Sequence, residues 1–436
     1  MLLTRRTLFL LLLAAPLIGA SALAPSLLAV AVGYGGLVLL MLLADWLVSP
    51  APADFELARE SDSKLSLGAW NPVTVTLRNQ SRYAVRLAVR DEPPTAFAAD
   101  AHVLEGNVEP HAILTLSYRV RPPRRGDYTF GSLNLRYRGV LGLVVRQARY
   151  PAPARVKVYP NLLDIRKYEI LMRKAQLYEL GLRNARIFGA GTEFERLRDY
   201  QPDDEYRKIH WKATARRGKP ITMEYETERS QTIVTLIDVG RMMRSPVGDL
   251  AKVDYAINTA LMLAYVAGLK GDRVGLLTFA DQVGGYLAPR RGKGQFYRML
   301  ETLYAVQSQP AAPDYQRAFG YLAAKNKKRS LVVVFTDLGD ADAARELVTY
   351  VAQLWPRHLP LCVTISDPAL TGLAGAPAHD SVGVYQRAVA EKLLNERQVV
   401  LETLSRHGVL TLDVPAEKLT VAVINKYLEL KARTML

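Results

Sequence analysis

The first 48 residues constrain this chain more than any other stretch. "LFLLLLAAPLIGASALA" (Leu8–Ala24) and "LLAVAVGYGGLVLLMLLADWLV" (Leu27–Val48) are nearly uninterrupted apolar runs. Backbone amides in a bilayer find no water, so such a run can only be helical there. The second run is long enough to cross the hydrocarbon core, and the first is near the lower limit. Only Pro25-Ser26 lies between them, which predicts a tight transmembrane helical hairpin over 1–48. Arg5 and Arg6 precede the first run, and the positive-inside rule keeps that end cytoplasmic. A hairpin then returns the rest of the chain to the same side. The expected location is the inner (cytoplasmic) membrane, with the soluble domains in the cytoplasm. Ala22-Leu23-Ala24 also resembles a signal-peptide cleavage site. Cleavage there leaves Leu27–Val48 as a stop-transfer helix with an unchanged destination.

At 436 residues the chain is too long for a single core. Lys and Arg total 57 against 42 acids, a formal net charge of +15. That excess suits anionic lipid, nucleic acid or an acidic protein without choosing among them. The lone cysteine, Cys362 in "LPLCVTIS", excludes an internal disulfide framework and reads as an inert buried strand position. The six histidines show no pair at metal-ligand spacing, which argues against a zinc enzyme.

After the Pro/Ala linker "SPAPADF", residues 55–160 read as short alternating segments divided by turn residues. In "NPVTVTLRNQS" the period of two puts Val73, Val75 and Leu77 on one face. Several such strands predict a β-sandwich-like domain of roughly a hundred residues. Residues 161–188 read as a helical connector, with its helix from about Leu162 to Leu180, and 189–230 as a charged segment of their own. From 231 to 436 apolar strands ("TIVTLID", "RVGLLTFA", "SLVVVFTDLGD", "HLPLCVTISD", "VLTLDV") alternate with helices, the penultimate one spanning about Val389 to His407. That rhythm predicts an α/β domain with a mostly parallel, doubly wound sheet. Ligands of such sheets bind beyond the carboxyl ends of the strands. Two strands end there in acids, Asp238 in "LIDVG" and Asp337 in "FTDLG". Paired carboxylates of this kind suit Mg²⁺.

The order of these strands resembles the von Willebrand factor type A domain. The resemblance implies a metal-ion-dependent adhesion site of Asp-x-Ser-x-Ser, a loop threonine and a second aspartate. Asp238 and Asp337 match the two aspartates, Gly240 and Met242 stand at the serines, and Pro313 or Asp314 stands at the threonine. The site is therefore expected to be degenerate, with Mg²⁺ its one candidate ion and no cofactor otherwise expected. The stretch "GAGTEFERLRDYQPDDEYRKIHWKATARRGKP" is similar to the signature of the domain of unknown function 58 family. Its pattern is carried by Gly189, Gly191, Glu193, Phe194, Arg198, Tyr200, Pro202, Asp204, Arg207, Ile209, Trp211, Lys212, Ala215 and Arg216, with His210 where aspartate is common. The resemblance implies a membrane-anchored partner of MoxR-type AAA+ ATPases, and no catalytic activity.

The residues of that stretch have a reading of their own. Asp203-Asp204 after Pro202 predict a helix N-cap, with a helix over "EYRKIHWKATARR" stopped by Gly218 and Pro220. Arg196, Arg198, Arg207, Arg216 and Arg217 have local carboxylates to pair with, which suits a charged clamp between domains or, second, a partner-docking surface. His210 has no nucleophile beside it, and no acid-x-Lys follows "PDD" at nuclease spacing, so catalysis is not expected. The basic clusters "NKKRS" and "RRGK" lack interleaved aromatics, so neither is nucleic-acid binding. The expectation is a membrane-bound, cytoplasm-facing adaptor that works with the ATPase in remodelling or maturing an unnamed client. Its contacts are expected on the loops holding Gly240, Arg241, Met242, Arg244 and Asp340. The alternative is an adhesion-type binding module that retains Mg²⁺.

Overall fold

Pro16 shapes the N-terminus. Its ring has no N–H to donate and collides with the carbonyl four residues back, so a helix cannot run through it unbroken. In the computed structural model, which describes residues 2–21, 26–161, 194–202, 206, 209–225, 230–339, 341–377 and 380–433, the expected first span is two helices. These are α1 (Arg5–Leu12) and α2 (Ala14–Ser21), each only about 12 Å long. This corrects the continuous helix expected over Leu8–Ala24. Next comes α3 (Ser26–Val48), the one described helix long and apolar enough to cross a membrane.

The chain divides into two units, Met1–Leu163 and Asp164–Leu436. In the first, strands β1 (Leu2–Leu3), β2 (Phe55–Ser61), β3 (Lys64–Ser66), β4 (Asn71–Asn79), β5 (Val85–Asp91) and β6 (Ala98–Ala99) are followed by β7 (Leu104–Val108), β8 (Ile113–Arg121), β9 (Gly126–Phe130), β10 (Leu133–Arg138), β11 (Val144–Tyr150) and β12 (Ala154–Tyr159). They form sheets of order β1-β11-β10-β5-β7, β2-β4-β8-β6 and β3-β12-β9. Val73, Val75 and Leu77 are all fully buried, as the alternation predicts. The start of α1 and the end of α3 are tied to the turn between β10 and β11. Asp45 of α3 is buried and accepts the backbone N–H groups of Leu141, Leu143 and Val144 at 2.8, 2.8 and 2.9 Å. Ser49 Oγ donates to Asp45 and accepts from the Val140 amide. From α1, the Thr4 and Thr7 hydroxyls donate to the carbonyls of Gly142 and Leu143. A Cβ at Gly139 would lie 2.5 Å from the Asp45 carboxylate oxygens, so only glycine leaves room for that carboxylate.

The second unit opens with a hairpin, β13 (Phe194–Asp199) antiparallel to β14 (Ile221–Tyr225), with α4 (Trp211–Arg217) between them. Here the structure corrects an expectation. The α-helix is Trp211–Arg217, shorter than expected: Ile209 bridges Thr222 and the His210 amide donates to Ile221 O, so these two residues pair with β14 instead of continuing the helix. His210 is the N-cap, its Nδ1 accepting the Ala213 amide at 3.0 Å. The expected stop holds: Gly218 closes the helix with φ 66°, a left-handed geometry glycine adopts without strain. Asp203, Asp204 and Glu205 lie outside the described residues, as does the expected connector helix.

The main sheet uses β15 (Thr232–Asp238) and, after the small ribbon of β16 (Pro246–Val247) and β17 (Leu250–Ala251), β18 (Arg273–Phe279), β19 (Val283–Arg290), β20 (Leu331–Phe335), β21 (Leu359–Ser366) and β22 (Leu410–Pro415). Its order is β19-β18-β15-β20-β21-β22, with every pair parallel except the edge pair β18–β19. All seven residues of β15 are buried, so both of its faces are covered. The covering helices are α5 (Lys252–Leu269), α6 (Lys293–Ala305), α7 (Tyr315–Lys325), α8 (Ala341–Ala352), α9 (Pro368–Gly375), α10 (Ser381–Arg406) and α11 (Leu419–Ala432). Alternate strand residues Val234, Leu236, Val332 and Val334 share a core with Phe319 of α7, Leu347 of α8 and Leu404 of α10. Meanwhile α5 packs on β15 and β18 and against α11. The helix expected to begin at Val389 begins at Ser381, where the Asp380 carboxylate caps it by accepting the Gly383 amide.

Candidate functional site

Strand direction brings the two acids together. β15 and β20 are parallel neighbours with Ile237 opposite Phe335, so Asp238 and Asp337 emerge at the same carboxyl edge. Strand order reverses about β15, and a crevice forms at such a switch point. The two carboxylates nonetheless have different surroundings.

Asp238 is 1% exposed. Its Oδ1 accepts the Gly240 amide at 2.7 Å and its Oδ2 accepts the Thr336 hydroxyl at 2.7 Å. Thr336 Oγ1 lies 2.8 Å from the buried Tyr315 hydroxyl. With the Thr336 proton given to Asp238, Tyr315 is the donor of that second bond. Burial pushes the Asp238 carboxyl up to about 6 against the pull of these two hydrogen bonds, and the charge of Asp337 adds to the rise.

Asp337 is flanked by cations. Lys252, the first residue of α5 and itself buried, donates from Nζ to Asp337 Oδ2 at 2.6 Å. Arg397 of α10 donates from Nη1 to Oδ1 at 2.9 Å. Arg397 also reaches Asp413 of β22 through Nη2 at 2.7 Å and Nε at 3.2 Å, and Ile365 O at 2.9 Å. Thr364 donates to Asp413 Oδ1 at 2.7 Å. Burial alone would raise the Asp337 carboxyl, but Lys252 and Arg397 bring it below its usual value. The network joins the ends of β20, β21 and β22 to the start of α5.

The residues present do not fit a divalent cation. Each oxygen of Asp337 already accepts a hydrogen bond from a positively charged side chain, and an ion there would meet like charge. Gly240 has no hydroxyl, and a Cβ at that position would sit 2.8 Å from Ala311 O. Asp314 is turned to its own helix, capping α7 through the Arg317 amide. Among the described residues, no three His, Cys, Asp or Glu side chains converge as a metal centre requires.

Above this floor lies a cavity of about 790 Å³. Its lining combines the charged Lys252, Asp337, Arg397 and Asp413 with the apolar Leu338, Val348, Leu370, Leu394 and Val400. Of the residues expected to make contacts, Met242 lines the cavity, Arg241 and Arg244 are exposed, and Gly240 is buried. Asp340 lies outside the described residues. In the signature segment, Glu193, Asp204 and Arg207 are likewise outside, as are the side chains of Phe194 and Arg198. Tyr200 is half-buried, with its amide on Pro220 O. Trp211 is 58% exposed and packs edge to face with the exposed Tyr206, while Lys212 and Arg216 are partly or fully exposed.

Sequence reading missed Lys252, Thr336, Arg397 and Asp413. Thr336 adjoins Asp337 in "FTD", and Lys252 is the sole Lys or Arg within α5, a helix otherwise dominated by buried apolar residues. Those two carried a readable signal. Arg397 and Asp413 did not, because their pairing depends on two elements meeting in space.

Residues 196–378 match the family described as "Protein of unknown function DUF58". The uncharacterized protein Rv1480 of Mycobacterium tuberculosis is 26% identical over 185 residues, covering 42% of this chain and 57% of that protein. The uncharacterized protein YeaD of Bacillus subtilis is 27% identical over 191 residues, covering 42% of this chain and 48% of that one. The matched region is thus about half the length of these relatives. Among solved structures, the conserved hypothetical protein BatB from Bacteroides thetaiotaomicron aligns over 47% of this chain and 100% of its own. It does so at 12% identity and a TM-score of 0.33, too low to carry an argument.

Proposed function

For a chain whose residues 196–378 match the DUF58 family, we propose a membrane-anchored interaction module rather than an enzyme. In this reading α3 holds the chain in the inner membrane, the soluble units face the cytoplasm, and the first unit is a β-sandwich-like spacer. The second is a von Willebrand factor type A-like domain, a reading supported by the 3-2-1-4-5-6 strand order with one antiparallel edge. The partner is a MoxR-type AAA+ ATPase acting on a client protein.

The observation that carries this is the state of the charged groups at the sheet edge. Asp337, Arg397, Asp413 and Lys252 satisfy one another, which suits a rigid platform. General acid–base work needs a group free to exchange a proton with a substrate. The cavity's apolar walls beside the exposed Arg241 and Arg244 suit a protein partner. The metal-dependent adhesion reading is disfavoured by the cations on Asp337.

Calorimetric titration of the ATPase into the detergent-solubilised full chain tests this. Binding should weaken by about tenfold or more in the Arg241→Glu/Arg244→Glu variant and stay unchanged in Trp211→Ala. Loss of binding in Trp211→Ala alone would move the contact to the signature segment. No binding to the wild type would end the reading.

A further inference from the structure

A divalent ion held between two strand-end carboxylates would neutralise charge and tie their loops together. In this chain protein side chains do this at Asp337. Lys252 begins α5, the helix that follows β15 and its loop, and its Nζ reaches Asp337 just past β20. Arg397 delivers a second positive charge to the other oxygen of the same carboxylate. Arg397 is shared with Asp413, so Lys252 is the cation that pairs with Asp337 alone.

The surroundings are built for this arrangement. The place of a serine ligand is filled by Gly240, where a Cβ would lie 2.8 Å from Ala311 O and 3.0 Å from Asp238 Oδ1. An ion needs a hydroxyl there; an ammonium reaching in from α5 does not. Met242 stands at the second such position, where a Cβ on Gly339 would meet its Cε at 2.5 Å. A thioether is a poor ligand for Mg²⁺. Burying a lysine is costly unless it is paired, and this one is 7% exposed with Asp337 as its counter-ion.

We infer that Lys252 is the resident cation of this site: its ammonium takes the role of a divalent ion, excludes one, and leaves the sheet edge assembled without metal. This stands whether or not an ATPase is the partner, since it concerns how the edge is held rather than what docks there.

Thermal unfolding of the full chain in detergent, in EDTA and with Mn²⁺ as the probe, tests it. The wild type and Lys252→Arg should melt at the same temperature in both. Lys252→Ala leaves Asp337 short of one cation and opens space beside it, so it should melt lower in EDTA. Mn²⁺ should not restore it, because Arg397 still holds the other Asp337 oxygen and neither Gly240 nor Met242 offers a hydroxyl ligand, whereas Lys252→Ala/Asp337→Asn, which removes the uncompensated charge, should recover part of the loss. If Lys252→Ala does not fold, Lys252→Gln, which keeps most of the side-chain volume without the charge, takes its place. A Lys252→Ala variant that melts as high as the wild type in EDTA, or a wild type that melts higher in Mn²⁺ than in EDTA, overturns the inference. So does one Mn²⁺ bound by the wild type and released by Asp337→Asn.

Discussion

Asp238 and Asp337 occupy equivalent strand ends, yet substitution should separate them. Asp337 compensates the buried Lys252 and the half-buried Arg397, so Asp337→Ala leaves both without their shared carboxylate. The expected cost is about 3–5 kcal/mol in urea unfolding at neutral pH. Among the described residues no cation pairs with Asp238, and burial moves its carboxyl from 3.8 to about 6. A raised carboxyl favours the folded state while it is protonated. Its contribution is full below the unfolded value and is lost as pH rises through about 6. Asp238→Asn keeps the shape and offers an amide to Thr336. It should therefore be at least as stable as the wild type at pH 8, by up to about 2 kcal/mol, and lack the decline between about pH 4 and 6. A large loss of stability in Asp238→Asn at pH 8 would show that the negative charge is needed. The two acids were legible as strand-end residues from "LID" and "FTD". Their opposite electrostatics were not, because the cations that distinguish them come from α5 and α10.

At the level of elements, the junction of α3 with the β-sheets depends on one carboxylate. Asp45 satisfies three backbone amides of the β10–β11 turn, which no other described group accepts. Asp45→Ala should cost about 3 kcal/mol or more, since each buried orphan donor costs roughly 1–3 kcal/mol. Asp45→Asn should recover only part of this, because one of the two carboxylate acceptors becomes a donor facing donors. Denaturant unfolding of the detergent-solubilised chain measures both. In sequence Asp45 is just the acid near the end of an apolar run, with nothing to indicate a partner a hundred residues away. Strands with clean alternation, such as β4, and strands without it, such as β15, were readable because burial on one face or two writes a period into the chain. The first helix was misread as continuous although Pro16 stood in view, since its apolar content outweighed its backbone chemistry. The helix α4 is shorter than expected for a different reason: the pairing of Ile209 with Thr222 holds the chain against β14 just before Trp211.

For the whole molecule, Met1–Leu163 and Asp164–Leu436 are distinct units, and scanning calorimetry of the full chain should resolve two transitions. Asp45→Ala should lower one and Asp337→Ala the other, as expected for substitutions that share no partners. A single transition shifted by both variants would mean that the units unfold as one. The N-terminal helix long and apolar enough to cross a membrane, the β-rich first unit, the α/β second unit and the sheet edge bearing Asp238 and Asp337 all followed from sequence. Apolar length, strand period and strand–helix alternation are local properties, and each is set by whether a residue meets water, lipid or core. What fills the sheet edge was decided by tertiary structure alone. Lys252, Arg397 and Asp413 are far apart in the chain and become partners only when α5, β20, α10 and β22 converge. The two aspartates could thus be read from the sequence, while the ammonium and guanidinium that hold one of them required the fold.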